Sequence, residues 1–200
     1  MYSQPSLFES DPDITSIDDF IHGASYISDF ISPKEEKTLL THIDTGKWLY
    51  DLKRRVQHYG YKYDYNLRKI DLGMRIGVLP DWLQSLAIRL YEANIFEKIP
   101  DQVIVNEYEP GQGISPHIDC EPCFDKTIVS LSLNSTAVMD FTKGLEKVSL
   151  PLEPRSILIL KDDARYEWHH CIPARKSDTY NGIKLLRKRR VSLTFRKVII

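Results

Sequence analysis

Arg190-Val191-Ser192-Leu193-Thr194-Phe195-Arg196 alternates without a break between polar and apolar side chains. Successive residues of a β-strand point to opposite faces, so Val191, Leu193 and Phe195 share one face and Arg190, Ser192, Thr194 and Arg196 the other. The apolar face needs a cover, from a helix layer or a second sheet. The polar face offers two guanidiniums and two hydroxyls. A guanidinium makes planar, two-point pairs with carboxylates and phosphates, so the strand suits the inside of a barrel that holds a small dianion. An edge strand with a solvated polar face satisfies the same pattern, and the rest of the chain must separate the two readings.

Upstream of that strand, from Val103 onward, short apolar runs are divided by turn residues. They predict strands at 103–108, 114–119, 127–133, 137–141, 147–150, 156–160, 166–171 and 189–200. Eight short strands without intervening helices predict a mainly β fold with flanking helices, a double-stranded β-helix or jelly roll, rather than a parallel α/β sheet. Ser32-Pro33-Lys34-Glu35 is a capping box with proline at the first helical position, opening a helix to about Gly46. Pro80-Asp81, with Asp81 as N-cap, opens a second helix. Its Leu83, Leu86, Ala87, Leu90, Tyr91 and Ile95 form an apolar stripe. The two helices are expected to pack on the outer face of one sheet and cover Val191, Leu193 and Phe195.

The chain has 200 residues, enough for one domain with a sizeable core. Residues 1–25 read as a loosely structured acidic extension and 26–200 as a single domain. The first thirty residues carry six acids, Glu9, Asp11, Asp13, Asp18, Asp19 and Asp29, and no Lys or Arg. All 27 Lys and Arg lie in the remainder against 22 acids (28 less 6), a net charge of +5 there. Lys53-Arg54-Arg55, Arg175-Lys176 and Arg187-Lys188-Arg189-Arg190 are the densest basic runs. They fit either a polyanion partner or a solvated surface. No apolar run reaches the length of a membrane span, and no basic start with an apolar stretch marks a secretory signal. Three cysteines, an odd number, argue against a disulfide framework and for a reducing compartment. The expected location is the cytoplasm, with the nucleus as the eukaryotic alternative.

His117-Ile118-Asp119 places an imidazole and a carboxylate on one face of a strand. About fifty residues later comes Trp168-His169-His170. Two histidines and one carboxylate form the facial triad of non-haem Fe(II) oxygenases, which leaves positions open for co-substrate and oxygen. A structural histidine pair is the plainer reading of His169-His170. Asn106 and Tyr108 share one face of the strand before His117 and offer donors to a ligand carboxylate; sheet packing for Tyr108 and a turn role for Asn106 are the plainer readings. Cys120-Glu121-Pro122-Cys123 reads as a turn with incidental thiols, since Cys171 alone cannot complete a cysteine-rich zinc site.

Asn106-Glu107-Tyr108 followed by His117-Ile118-Asp119 resembles the N-x-Y…H-x-D pattern of AlkB-like Fe(II)/2-oxoglutarate dioxygenases. Arg190 to Arg196 resembles their R-x-N-x-T-x-R signature, with Ser192 in place of Asn and still a donor. The likeness runs from about Asp51 to Ile200. Asn106 to Asp119, Ile128 to Leu133 with Val138 to Phe141, and Phe195 to Val198 most resemble the oxygenase domain of the animal tRNA wobble-uridine hydroxylases within that family. The resemblance implies Fe(II), 2-oxoglutarate and O2. It implies His117, Asp119 and His170 as metal ligands, and Asn106, Tyr108, Arg190, Ser192 and Arg196 on 2-oxoglutarate, with Arg196 on the distal carboxylate. The family's nucleotide-contacting lid matches residues 54–65. There it implies Arg54 and Arg55 on phosphate and Tyr59 and Tyr61 stacked on a base, or else tyrosines that merely cover the sheet. Glu121 stands two residues past Asp119, where many base-repair relatives carry Asp, and is a further candidate for substrate binding. The implied partner is modified or alkylated nucleic acid, RNA such as tRNA, or DNA. A protein-directed hydroxylase or demethylase of the same fold, and a non-catalytic jelly-roll binding module, are the alternatives.

Overall fold

The structure is a computed structural model that describes residues 14, 15 and 17–200. It is mainly β, a jelly roll of two facing antiparallel sheets. The larger sheet has the order β1 (Ile14–Thr15), β2 (Ala24–Ile27), β9 (Ile157–Leu160), β6 (Phe124–Leu133), β13 (Arg190–Val198), β4 (Gln102–Tyr108), β3 (Val56–Tyr59). The smaller has the order β5 (Ile114–His117), β10 (His169–Ile172), β7 (Ala137–Lys143), β8 (Glu146–Leu152). A hairpin, β11 (Ser177–Tyr180) and β12 (Ile183–Leu186), stands apart.

The alternating strand is central, with β6 on one side and β4 on the other. Val191, Leu193 and Phe195 pack in one cluster with Leu39 and Ile43 of α1 (Pro33–Thr45) and Leu83, Leu86, Ala87 and Leu90 of α2 (Asp81–Glu92). The edge-strand alternative is thereby excluded, and the helices supply the predicted cover. Ser32 caps α1 with the complete capping box. Arg89 of α2 bonds Glu35 of α1 and ties the two helices.

Several expectations need correction. Pro80, not Asp81, is the N-cap of α2 and makes no side-chain cap bond, so Asp81 begins the helix. Tyr91 is 43% exposed and leaves the apolar stripe. The run 166–171 is not one strand: α3 (Asp162–Tyr166) precedes β10. Strand β5 ends at His117, so Asp119 sits in the following loop. The boundary expected between 25 and 26 falls inside β2, while Ile17, Ile21 and Ala24 are buried in the inter-sheet core. The other described residues of the expected extension therefore join the fold, and residues 1–13 and 16 lie outside the described residues. Strands β2, β3, β11 and β12 were not read from the sequence. For the last two a signal was present: Asn181-Gly182 has positive φ at both residues, 48° and 77°, as a two-residue hairpin turn requires. Cys120 and Cys123 are joined in a disulfide that closes their turn, rather than standing as free thiols. Among the described residues no helix is long and apolar enough to cross a membrane.

Candidate active site

The space between the sheets holds a cavity of about 490 Å³. Arg190, Ser192, Thr194 and Arg196 of β13 all line it, as do Asn106 and Tyr108 of β4. Register accounts for this. Ser192 pairs with Asn106 and Arg190 with Tyr108, so one face of both strands looks inward. From the opposite sheet, His170 of β10 pairs with His117 of β5, which brings the two rings to 4.3 Å between centroids.

His117, Asp119 and His170 each offer a ligand atom, all within 4.8 Å of one another. His169 is exposed and pairs with Thr142, so the adjacent strand position faces away. The Ser115 carbonyl accepts from His117 Nδ1 at 2.8 Å, which fixes the ring and leaves Nε2 free for a cation. Burial pushes the His170 imidazole down to about 3 and lowers that of His117 as well. Both rings are therefore neutral at neutral pH, the form that binds a metal. Burial alone would raise the Asp119 carboxyl, but the guanidiniums of Arg196 and Arg165 hold it well below the usual carboxylate range. His170 Nδ1 is buried without a partner. Two neutral imidazoles, one carboxylate and an orphaned ring nitrogen fit a divalent cation with open positions.

Asp119 is placed by a residue that sequence reasoning did not find. Arg165 of α3 is buried, and its guanidinium donates to the carbonyls of Asp119 at 2.9 Å, Cys120 at 3.3 Å and Phe124 at 3.4 Å. It thus clamps the loop that follows β5. No short motif announces an arginine that serves three backbone carbonyls.

The arginines of β13 differ in their commitments. Arg196 donates to Asp119 Oδ1 at 3.0 Å and to Gln102 Oε1 at 3.3 Å. Arg190 is 2% exposed and donates one bond, to Ser132 Oγ at 2.7 Å, while its Nε and Nη1 are buried without partners. The Tyr108 ring lies 5.5 Å from its guanidinium. Ser192 bonds Ser130 across the sheet at 2.8 Å.

The lid residues divide by strand parity. Arg54 lines the cavity, but Arg55 does not. Arg55 pairs with Glu107 and lies over the Trp48 ring at 4.4 Å, on the helix side of the sheet. Tyr59 also faces the helices, edge-on to Trp82 at 5.5 Å. Tyr61 packs against the inter-sheet core without lining the cavity. Glu121 is exposed in the disulfide-closed turn and also lies off the cavity wall. The cavity tyrosines are Tyr63 and Tyr65, with Arg68 beside them. Tyr59 and Tyr61, two residues apart, would share a face only on one continuous strand. The strand ends at Tyr59, and Gly60 turns the chain with φ 78°, where a Cβ would lie 1.8 Å from the Asp101 carbonyl oxygen. The alternation restarts after that turn. His58 then anchors both cavity tyrosines: its Nδ1 accepts from the Tyr63 amide at 3.0 Å, and its Nε2 lies 3.3 Å from the Tyr65 hydroxyl.

Residues 23–196 match the family model of the 2OG-Fe(II) oxygenase superfamily. Uncharacterized protein L905 of Acanthamoeba polyphaga mimivirus is 41% identical over 182 residues, covering 90% of this chain and 86% of that protein. The Arabidopsis thaliana alkylated DNA repair protein ALKBH8 homolog is 38% identical over 204 residues, covering 89% of this chain and 59% of its own. The Mus musculus tRNA (carboxymethyluridine(34)-5-O)-methyltransferase ALKBH8 is 38% identical over 202 residues, covering 88% of this chain and 30% of its own. The chain thus spans little more than half of the plant relative and under a third of the mouse one. Among solved structures, OsALKBH1 superposes with a TM-score of 0.67 at 19% identity, covering 88% of this chain and 96% of that one. A Pseudomonas putida prolyl-4-hydroxylase superposes with a TM-score of 0.58 at 15% identity, covering 90% and 95%. These two are similar in fold.

Proposed function

The chain belongs to the 2OG-Fe(II) oxygenase superfamily, and from that membership we propose that it hydroxylates or oxidatively dealkylates a modified or alkylated base of RNA or DNA. It is a dioxygenase that uses Fe(II), 2-oxoglutarate and O2, and its relatives are AlkB-like. The observation that carries the substrate reading is the wall above the histidines. Tyr63 and Tyr65 present aromatic rings and Arg68 a guanidinium to the same cavity as His117, Asp119 and His170. Aromatic faces stack on a base removed from its duplex, and a guanidinium beside them donates to phosphate oxygens. The names of the plant and mouse relatives, an alkylated DNA repair protein homolog and a tRNA methyltransferase, support the same class.

His117, Asp119 and His170 are the residues to hold Fe(II). The bound metal with 2-oxoglutarate and O2 supplies the oxidising chemistry; the protein binds, orients and excludes water. Arg190 is assigned the distal carboxylate of 2-oxoglutarate, because its two unpartnered donors need an acceptor that a buried carboxylate provides. Tyr108 stands against it. Arg196 is assigned to the metal end, since it already bonds Asp119; this exchanges the distal role anticipated for it from the sequence. Asn106, Ser192 and Thr194 complete the polar wall between the two arginines.

A mass-spectrometric screen of alkylated and wobble-modified oligonucleotides tests the proposal. A product from at least one of them, dependent on 2-oxoglutarate, is the expected result. Turnover of a peptide with none of any oligonucleotide would overturn it in favour of a protein-directed hydroxylase.

A further inference from the structure

We infer that Arg54 is a positioning residue for the co-substrate, which holds the Asn106 side-chain amide with its NH2 group turned to the cavity. The inference rests on the reading of that cavity as the 2-oxoglutarate site. Arg54 Nε donates to Asn106 Oδ1 at 2.9 Å. A guanidinium has donors only, so the amide atom facing it must be the carbonyl oxygen. An isolated amide is free to present either end, and this partner removes the choice. Asn106 lines the cavity, and the end of its amide turned away from Arg54 is the NH2 group. The amide therefore offers a donor to a carboxylate and not a lone pair that would repel it.

The position of Arg54 is itself built. The backbone is pinned on either side of it: the Lys53 carbonyl accepts from Gln112 Nε2 at 2.8 Å, and the Arg55 carbonyl from the Glu107 amide at 3.1 Å. The Arg55 side chain is drawn to Glu107 on the other face. Its neighbour must then point inward, where its guanidinium lies 5.7 Å from the Tyr108 ring. Arg54 thus rests on two residues of the proposed co-substrate wall, Asn106 and Tyr108.

The test is calorimetric titration of 2-oxoglutarate into Mn(II)-loaded protein with no nucleic acid present. The wild type binds, and Arg54→Met weakens binding by about three- to tenfold, the scale of one hydrogen bond. Arg54→Lys, also a donor only, recovers most of the loss. In an Asn106→Ala background, Arg54→Met causes no further loss, because the effect passes through the amide. Unchanged affinity in Arg54→Met, or an undiminished loss in the Asn106→Ala background, would overturn the inference while leaving the co-substrate site intact. Failure of the wild type to bind 2-oxoglutarate would instead remove the reading on which it rests.

Discussion

At the scale of single residues, one position decides whether a histidine meets the metal. His169 and His170 are neighbours on β10, yet His170 faces His117 and His169 is exposed. His170→Ala should abolish Mn(II) or Fe(II) binding, and His169→Ala should largely preserve it, as titration of each variant will read. The reverse would place the register off by one. Strand parity allowed only one of His169 and His170 to face inward, and the family resemblance selected His170; the inward set on β13 and the pair Asn106 and Tyr108 were legible because strand parity is a strict rule and each set is locally contiguous. Arg165 was not legible. Its role depends on three carbonyls more than forty residues away in sequence, which no local pattern encodes. Removing it takes a donor from each of those acceptors, of which the Cys120 carbonyl keeps the Cys123 amide. Arg165→Ala should cost about 2–4 kcal/mol in denaturant unfolding, and an unchanged midpoint would show that the loop keeps its shape unaided.

At the scale of elements, β3 and the turn after it separate structure from substrate contact. Tyr59 covers the sheet against α2, whereas Tyr63 and Tyr65 line the cavity. Tyr59→Ala should therefore lose about 2–4 kcal/mol of stability. Tyr63→Ala and Tyr65→Ala should slow base oxidation while sparing conversion of 2-oxoglutarate without substrate. If both leave oligonucleotide turnover unchanged, the aromatic wall does not hold a base. Gly60 hid this division from the sequence, since the turn residue sits inside an otherwise strand-like run. His58 adds a pH dependence to the same element. Burial first, then the nearby Arg196 and Lys62, push its imidazole down to about 4. As pH falls, the unfolded chain takes up this proton near 6.5 while the native chain does not until about 4. The stability from a neutral His58 is full above about pH 6.5 and declines toward pH 4. Unfolding curves across that window should be shallower in pH for His58→Gln than for the wild type; parallel curves would contradict the assignment.

At the scale of the whole molecule, two sheets divide the labour. The larger carries the polar cavity wall, the proposed co-substrate site, on its inner face and buries its outer face under α1 and α2. The smaller carries both histidines on one cross-strand pair. The gross architecture was readable from eight short apolar runs and one capping box. What escaped was the contribution of weakly apolar strands such as β2 and β3, whose place comes from pairing with β9 and β4 rather than from their own pattern. The account joins these parts in one claim, that the cavity is a metal-dependent 2-oxoglutarate site. Succinate release from 2-oxoglutarate tests it most directly, measured with Fe(II) and O2 for the wild type, His117→Ala and Asp119→Ala. Succinate from the wild type and none above background from either variant is the predicted result; equal release from all three would contradict it.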